Sequence, residues 1–259
     1  MLHPRLIPCL LVQNNGLVKT VRFGEPKYVG DPINAVRIFN EKMVDELMVL
    51  DIDATRNNRE PDYGLIAKLA NECRMPLCYG GGIKKVEQVE KIISLGVEKV
   101  GISSAAVTDP EIISHAAERV GAQSVVVVLD IKNAGMFRRQ ELFTHNATHR
   151  TKMEPARFIE DATRRGAGEI VLNFIDRDGT MEGYDLEAVE VLRRHTSLPI
   201  TVLGGAGSLD DVAQLWRAQG IIGAAAGSLF VFKGKYRAVL INYPNRSEKT
   251  ALLKATRAN

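Results

Sequence analysis

The chain has 259 residues, 45% hydrophobic and 25% charged, with a net charge of +3. That is enough apolar sequence for one large core, and too little charge imbalance to point to nucleic acid or a membrane as partner. Cys9, Cys73 and Cys78 are an odd number without metal-ligand spacing, which argues against a disulfide framework and for a reducing compartment.

Met1-Leu2-His3-Pro4-Arg5 leads straight into a strand-like run without a signal-peptide pattern. No apolar run approaches a membrane span, so a cytoplasmic protein is expected. Short apolar runs then alternate with helix-period segments. Strands are expected at 6–12, 46–52, 76–80, 98–102, 124–131, 169–175, 199–204 and 222–226. Helices are expected at 32–44, 61–73, 85–95, 110–119, 154–166, 185–195 and 208–218. Asp31-Pro32 and Asp109-Pro110 are helix starts, a capping side chain followed by proline at the first helical position. Ser208 caps another, with Asp210 and Asp211 in its first turn.

The strands are near-continuous apolar runs, as when both faces are covered. Eight of them alternating with helices predict a closed parallel (β/α)₈ TIM barrel over residues 1–242, rather than an open doubly wound sheet. Residues 132–153 read as a small hairpin over the barrel mouth. The tail 243–259 reads as a loop of poor order, with Thr250–Ala258 adding a last helical turn or two. Asn146-Ala147-Thr148 fits a glycosylation acceptor by pattern only.

The barrel repeats itself by halves. Glu46-Leu47-Met48-Val49 matches Glu169-Ile170-Val171-Leu172, and Gly81-Gly82 matches Gly204-Gly205; 169 − 46 and 204 − 81 are both 123. Gly101–Val107 lies against Ala224–Phe230 at the same offset. Both glycine runs leave a strand and enter a helix, where bare backbone lets N–H groups approach an anion. They read as two phosphate cradles, with a pair of tight turns as the alternative. Two cradles across a pseudo-two-fold imply a ligand with a phosphate at each end.

Chemistry in such a barrel lies at the C-terminal ends of its strands. The polar residues there are Asp51 and Asp53, Ser103 and Ser104, Asp130, Asn173, Asp176 and Asp178, with Lys19 in the first loop. Asp130 follows Val125-Val126-Val127-Val128-Leu129, and a carboxylate so placed is desolvated and raised toward general-acid use. A cap or a pairing with Lys132 is the alternative. His115 and His195 lie in helical segments and read as structural. No metal-ligand set or Ser-His-Asp arrangement is present, so neither metal nor cofactor is expected.

Arg5-Leu6-Ile7-Pro8-Cys9-Leu10, Gly80-Gly81-Gly82-Ile83, Ile175-Asp176-Arg177-Asp178-Gly179-Thr180, Gly183-Tyr184-Asp185 and Gly204-Gly205-Ala206-Gly207-Ser208, in this order, resemble the cyclase subunit (HisF family) of imidazole glycerol phosphate synthase. The resemblance extends to about Phe232. It implies a half-repeat barrel that joins ammonia to a two-phosphate ribulosyl carboxamide nucleotide, closing an imidazole ring in histidine biosynthesis. It implies a glutaminase (HisH-like) subunit docked at the N-terminal barrel face, with ammonia crossing the barrel core. On this resemblance Gly82 and Ser104 fall on one phosphate site, and Asp178, Gly179, Gly205 and Ser228 on or beside the other. Lys19 and Asp51 fall on substrate contacts, and Asp130 on one of two catalytic aspartates. Arg5, Glu46, Lys99 and Glu169 fall on the charged ring of the ammonia gate. Their positions at strand starts also fit a ring of mutually paired charges, with a purely structural cluster as the alternative.

One departure matters most. Where the family closes its first strand with the other catalytic aspartate, this chain has Leu11, which transfers no proton. Ser103, Asn173, Leu203 and Thr20 also differ from the family pattern. A kept gate with a changed pocket is similar to the paralogues found beside sugar amidotransferases in surface-polysaccharide (O-antigen) pathways. There the barrel and its glutaminase supply ammonia for amidation of an acetamido sugar. A phosphorylated small molecule, a glutaminase and a sugar amidotransferase are the partners this implies.

Overall fold

The computed structural model describes residues 3–255. Eight parallel strands close into a barrel: β1 (Arg5–Gln13), β2 (Leu47–Asp51), β3 (Leu77–Gly80), β4 (Lys99–Ile102), β5 (Val125–Ala134), β6 (Glu169–Phe174), β7 (Ile200–Leu203) and β8 (Gly223–Ala226). Each pairs with the next in order, and β8 returns to β1. The outer layer is α1 (Pro32–Glu41), α2 (Tyr63–Glu72), α3 (Val86–Ser94), α4 (Glu111–Val120), α5 (Pro155–Arg164), α6 (Leu186–Arg193), α7 (Leu209–Gln219) and α8 (Arg246–Ala255). The architecture is the TIM barrel expected from the strand count. Among the described residues no helix is long and apolar enough to cross a membrane.

Alternation along the strands sorts the core into two layers. Leu6, Leu10, Tyr79, Val127 and Leu172 face the helices. Ile7, Cys9, Met48, Cys78, Val126, Val128, Val171 and Ala225 fill the lumen. Two of the predicted helix starts hold: Asp31 accepts from Asn34 N, and Ser208 and Asp211 form a capping box. The third is corrected: its helix begins at Glu111 with Pro110 at the cap, and Asp109 Oδ1 only accepts from Glu111 N at 3.3 Å.

The half-repeat holds at atomic detail. A Cβ on Gly81 would lie 2.4 Å from the Asp51 carbonyl oxygen, and one on Gly204 2.6 Å from that of Phe174. These partners share the spacing of the glycines, since 174 − 51 and 204 − 81 both equal 123. The third match needs correction. Lys99 follows Gly80 by 19 residues while Gly223 follows Leu203 by 20, so the last unit is offset by 124. The corrected offset pairs Ser104 with Ser228, each the first residue of a short helical turn (Ser104–Thr108 and Ser228–Val231).

Two loops depart from expectation. Asn14 and Asn15 both take left-handed backbone (φ 49° and 60°), the turn that closes a two-residue hairpin. Gly16–Lys19 therefore folds back on β1, and Lys19 ends a strand instead of lying in a loop. The expected mouth hairpin forms as β5 pairs antiparallel with Arg139–Thr144. The tail packs on the barrel, and its helix begins at Arg246 rather than at Thr250. The Tyr243 hydroxyl donates to the Leu6 carbonyl at 2.9 Å, Lys249 pairs with Asp45, and Leu252 is buried. Residues 256–259 of that expectation, and Met1 and Leu2, lie outside the described residues.

Candidate functional site

The strand C-termini surround a cavity of about 1030 Å³, mouth included. Its lining unites Leu11, Lys19, Gly82, Ser104, Asp130, Asp178, Gly179, Gly205 and Ser228. Asp51, expected among the ligand contacts, is not part of the lining; it is buried between the lining residues Leu50 and Ile52, with Oδ1 accepting from the backbone of Asp53 and Ala54. Burial raises its carboxyl, and those two backbone bonds work against the rise.

Strand register fixes the relation of Leu11 to Asp130. Leu11 pairs with Leu50 and Asp130 with Asn173, and 173 − 50 is the repeat spacing of 123. Leu11 is thus the pseudo-two-fold counterpart of Asp130. One flank of the mouth is Leu11 and Leu50, and the opposite flank is Asp130 and Asn173.

Asp130 is buried, not paired with Lys132, whose ammonium lies over the Phe143 ring. Asn173 Nδ2 donates to Asp130 Oδ1 at 2.7 Å and Ser103 Oγ to Oδ2 at 3.3 Å. Burial pushes the carboxyl up to about 6, against these two donors. A raised folded pKa means that stability falls as pH climbs from the ordinary 3.8 through about 6. Asp130→Asn is therefore expected to raise stability above pH 6 by about 3 kcal/mol. The gain vanishes below about pH 4, as read from denaturant midpoints across pH.

Lys19 is 5% exposed, and its ammonium would collide with a Cβ on Gly227, the cap of the Ser228 turn. Among the described residues no carboxylate lies within ion-pair reach of it. A buried cation facing a cavity is a site for an anion. Gly179 and Gly205 line the same cavity, and a Cβ on them would meet the Thr20 and Gly183 carbonyl oxygens at 2.3 and 2.1 Å. Ser104 and Ser228, opening their turns, have N–H groups without intrahelical partners. At the Ser104 end, Gly82 N donates to Thr55 Oγ1 at 3.2 Å and His145 N to Ser104 Oγ at 3.0 Å. Lys19→Met is expected to weaken inorganic phosphate binding at least about tenfold by calorimetry, with the fold retained.

Asp178 does more than line the cavity. Its Oδ2 accepts from Thr20 Oγ1 at 2.6 Å and Phe23 N at 3.2 Å, tying the first hairpin to the sixth loop. Asp176 Oδ2 accepts from Asn133 N at 2.9 Å, tying in the β5 hairpin. Asp53 accepts from Gln13 Nε2 at 2.9 Å. His195 lies in the turn just past α6, not inside the helix as expected, and pairs with Glu160 of α5, away from the cavity.

At the opposite end a charged ring closes the lumen. Arg5 bonds Glu46 and, at 2.6 Å, Glu169; Lys99 bonds Glu46 at 2.8 Å and Glu169 at 2.9 Å. Both carboxylates are buried. Burial works against the charged Arg5 and Lys99, but attraction to Glu169 and Glu46 outweighs it and raises both. Thr201, not singled out in the sequence, completes this floor with a hydroxyl bond to Glu169 Oε1 at 2.6 Å. Its spacing of two from Leu203 on one strand is the signal that places it in the lumen.

Residues 5–237 match the family described as histidine biosynthesis protein. A Vibrio vulnificus relative, provisionally named imidazole glycerol phosphate synthase subunit hisF3, is 58% identical over 98% of this chain and 97% of its own length. A Pseudomonas aeruginosa relative, provisionally named hisF2 of the same synthase, is 53% identical over 95% and 97%. The imidazole glycerol phosphate synthase subunit HisF of Streptomyces coelicolor is 39% identical over 88% and 90%.

Proposed function

Since this chain belongs to the histidine biosynthesis protein family as a HisF-like cyclase subunit, we propose that it takes ammonia from a glutaminase through the barrel floor. The ammonia crosses the lumen and serves amidation of an acetamido sugar in surface-polysaccharide synthesis, through a sugar amidotransferase. The observation that carries this is the pairing of a complete floor ring with Leu11 opposite Asp130. Ring closure needs protons moved at both flanks of the mouth, and one flank is hydrocarbon. Lys19, Gly205 and Ser228 hold one phosphate group, and Gly82 and Ser104 the other.

A second reading, ring closure in histidine biosynthesis with Asp130 carrying more of the acid–base work, has more direct support from the names of the relatives. Complementation separates the two. On the first reading the gene fails to rescue a histidine auxotroph lacking its cyclase, while the purified chain forms a complex with a glutaminase. Rescue at ordinary growth rates favours the second.

A further inference from the structure

Two hairpins stand over the mouth of the cavity. One is β5 with Arg139–Thr144; the other pairs Phe232–Lys233 with Ala238–Val239, just past the Ser228 turn. The strands they follow, β5 and β8, lie three apart around the barrel. Residues 134–140 and 232–240 together carry five cations, Arg138, Arg139, Lys233, Lys235 and Arg237, and no carboxylate. All five are exposed, and among the described residues none has a carboxylate within ion-pair reach. The same hairpins hold the three most exposed large apolar side chains among the described residues, Tyr236 at 92%, Met136 at 91% and Phe137 at 79%. The Arg139 guanidinium lies over the Phe137 ring, 5.9 Å from its centroid.

The rim between the hairpins is continuous. Arg237 Nη2 donates to the Thr180 carbonyl at 3.4 Å and Arg22 Nε to the Asp176 carbonyl at 3.2 Å, while Arg22, Arg138 and Arg177 line one cleft. With the loops 20–27 and 175–185 included, the rim holds eight cations and five carboxylates. That excess of three equals the net charge of the whole chain, so the rest of the molecule is balanced. Aromatic and arginine side chains exposed together have the composition of an interface core. A second copy docked on this face by a two-fold would set these cations against themselves, so charge favours an acidic partner instead.

We propose that this rim is the docking surface for the enzyme that consumes the ammonia, a protein presenting acidic side chains around apolar pockets for Phe137 and Tyr236. Ammonia leaving an open mouth takes a proton from water and is lost as a nucleophile, so a conduit needs its far end covered. The inference rests on the amidation reading for the identity of the partner, while the surface stands on charge and exposure.

The test uses the glutaminase–barrel complex with a purified sugar amidotransferase from the same source and its acetamido sugar. Glutamate dehydrogenase, with 2-oxoglutarate and NADPH, is added in excess to consume any ammonia that escapes. The parent complex is expected to pass most glutamine nitrogen to the sugar despite this scavenger. Arg138→Glu/Arg139→Glu combined with Lys233→Glu/Lys235→Glu is expected to weaken amidotransferase binding at least about tenfold and to divert the nitrogen to the scavenger. Glutamine hydrolysis stays at the parent rate, since these residues lie at the end of the barrel away from the floor. All four side chains are exposed, so the fold is retained. Phe137→Ser/Tyr236→Ser is expected to weaken binding as well, with its salt dependence kept, whereas the charge-reversed rim loses that dependence. Arg157→Glu on α5, also exposed, is the control and leaves binding as it was. A charge-reversed rim bound as tightly as the parent overturns the proposal. So does loss of self-association, or of binding to phosphatidylglycerol vesicles, with amidotransferase binding intact, which would make the rim a contact for a second copy or a membrane. Rim-dependent binding with no nitrogen reaching the sugar keeps the surface and refutes the amidation reading; nitrogen transfer that ignores the rim does the reverse.

Discussion

Leu11→Asp is expected to raise ammonium-dependent imidazole ring closure by about 10²-fold or more over the unmodified chain, the worth of one placed general acid or base. The register argument gives the reason. Leu11 stands on β1 where Asp130 stands on β5, each beside the equivalent residue of the next strand. Both line one cavity, so the new carboxylate faces the same ligand from the other flank. Leu11 is 7% exposed among Ile7, Cys9 and Val18. An aspartate there loses apolar burial and is itself desolvated, which raises its pKa toward the working pH as burial does for Asp130. Some stability is lost in exchange. Leu11→Asn is the control, polar and of similar size but unable to transfer a proton. It should share the stability loss and gain no rate. The measurement is kcat/KM with the bisphosphate ribulosyl nucleotide and ammonium salt. A parent chain that already turns over as fast as Leu11→Asp would mean that the missing carboxylate is not what limits this pocket.

Much of the molecule was legible because its signals are local. Eight apolar runs, the Asp31 and Ser208 caps and the paired glycines each state a short-range requirement, and each holds in three dimensions. Asp130 was legible for the same reason: a carboxylate at the end of a buried strand is desolvated by its own neighbours in sequence. The misses came from contacts distant in sequence or from subtler turns. Asn14-Asn15 carries a hairpin turn that its sequence does not announce, so the sequence places Lys19 in a loop although the fold buries it against Gly227. The extra residue between β7 and β8 hid the equivalence of Ser104 and Ser228 until the strands were placed. The tail seemed loose because its anchors, Leu6 and Asp45, lie some 200 residues earlier in the chain. Thr201 is one hydroxyl in an apolar strand. Only the meeting of β1, β6 and β7 at the floor gives it partners.

The largest loss of stability is expected from Glu169→Ala. Glu169 is buried, and on its removal Arg5 and Lys99 are left to share Glu46. Breaking a buried pair typically costs 3–5 kcal/mol, and because both cations partly reach water the low end applies, about 3 kcal/mol. For a chain of this length that lowers Tm by roughly 6–12 °C. Added salt changes the loss little, since the ring is shielded from bulk ions. Acid distinguishes this from a generic cavity. Burial alone would push the Glu169 carboxyl up, but Arg5, then Lys99 and Thr201, reverse that and hold it below the ordinary 4.5. A depressed folded pKa contributes stability above the unfolded value that is lost as pH falls through the folded one. The gap between the parent and Glu169→Ala should therefore be widest from neutral pH down to about 4.5 and narrow below it, as both proteins come to lack the charge. Glu169→Gln, which keeps oxygen Oε1 for Thr201 and Arg5, should fall between the two. A gap that stays constant from pH 7 to pH 3 would mean that shape, not charge, holds the floor together.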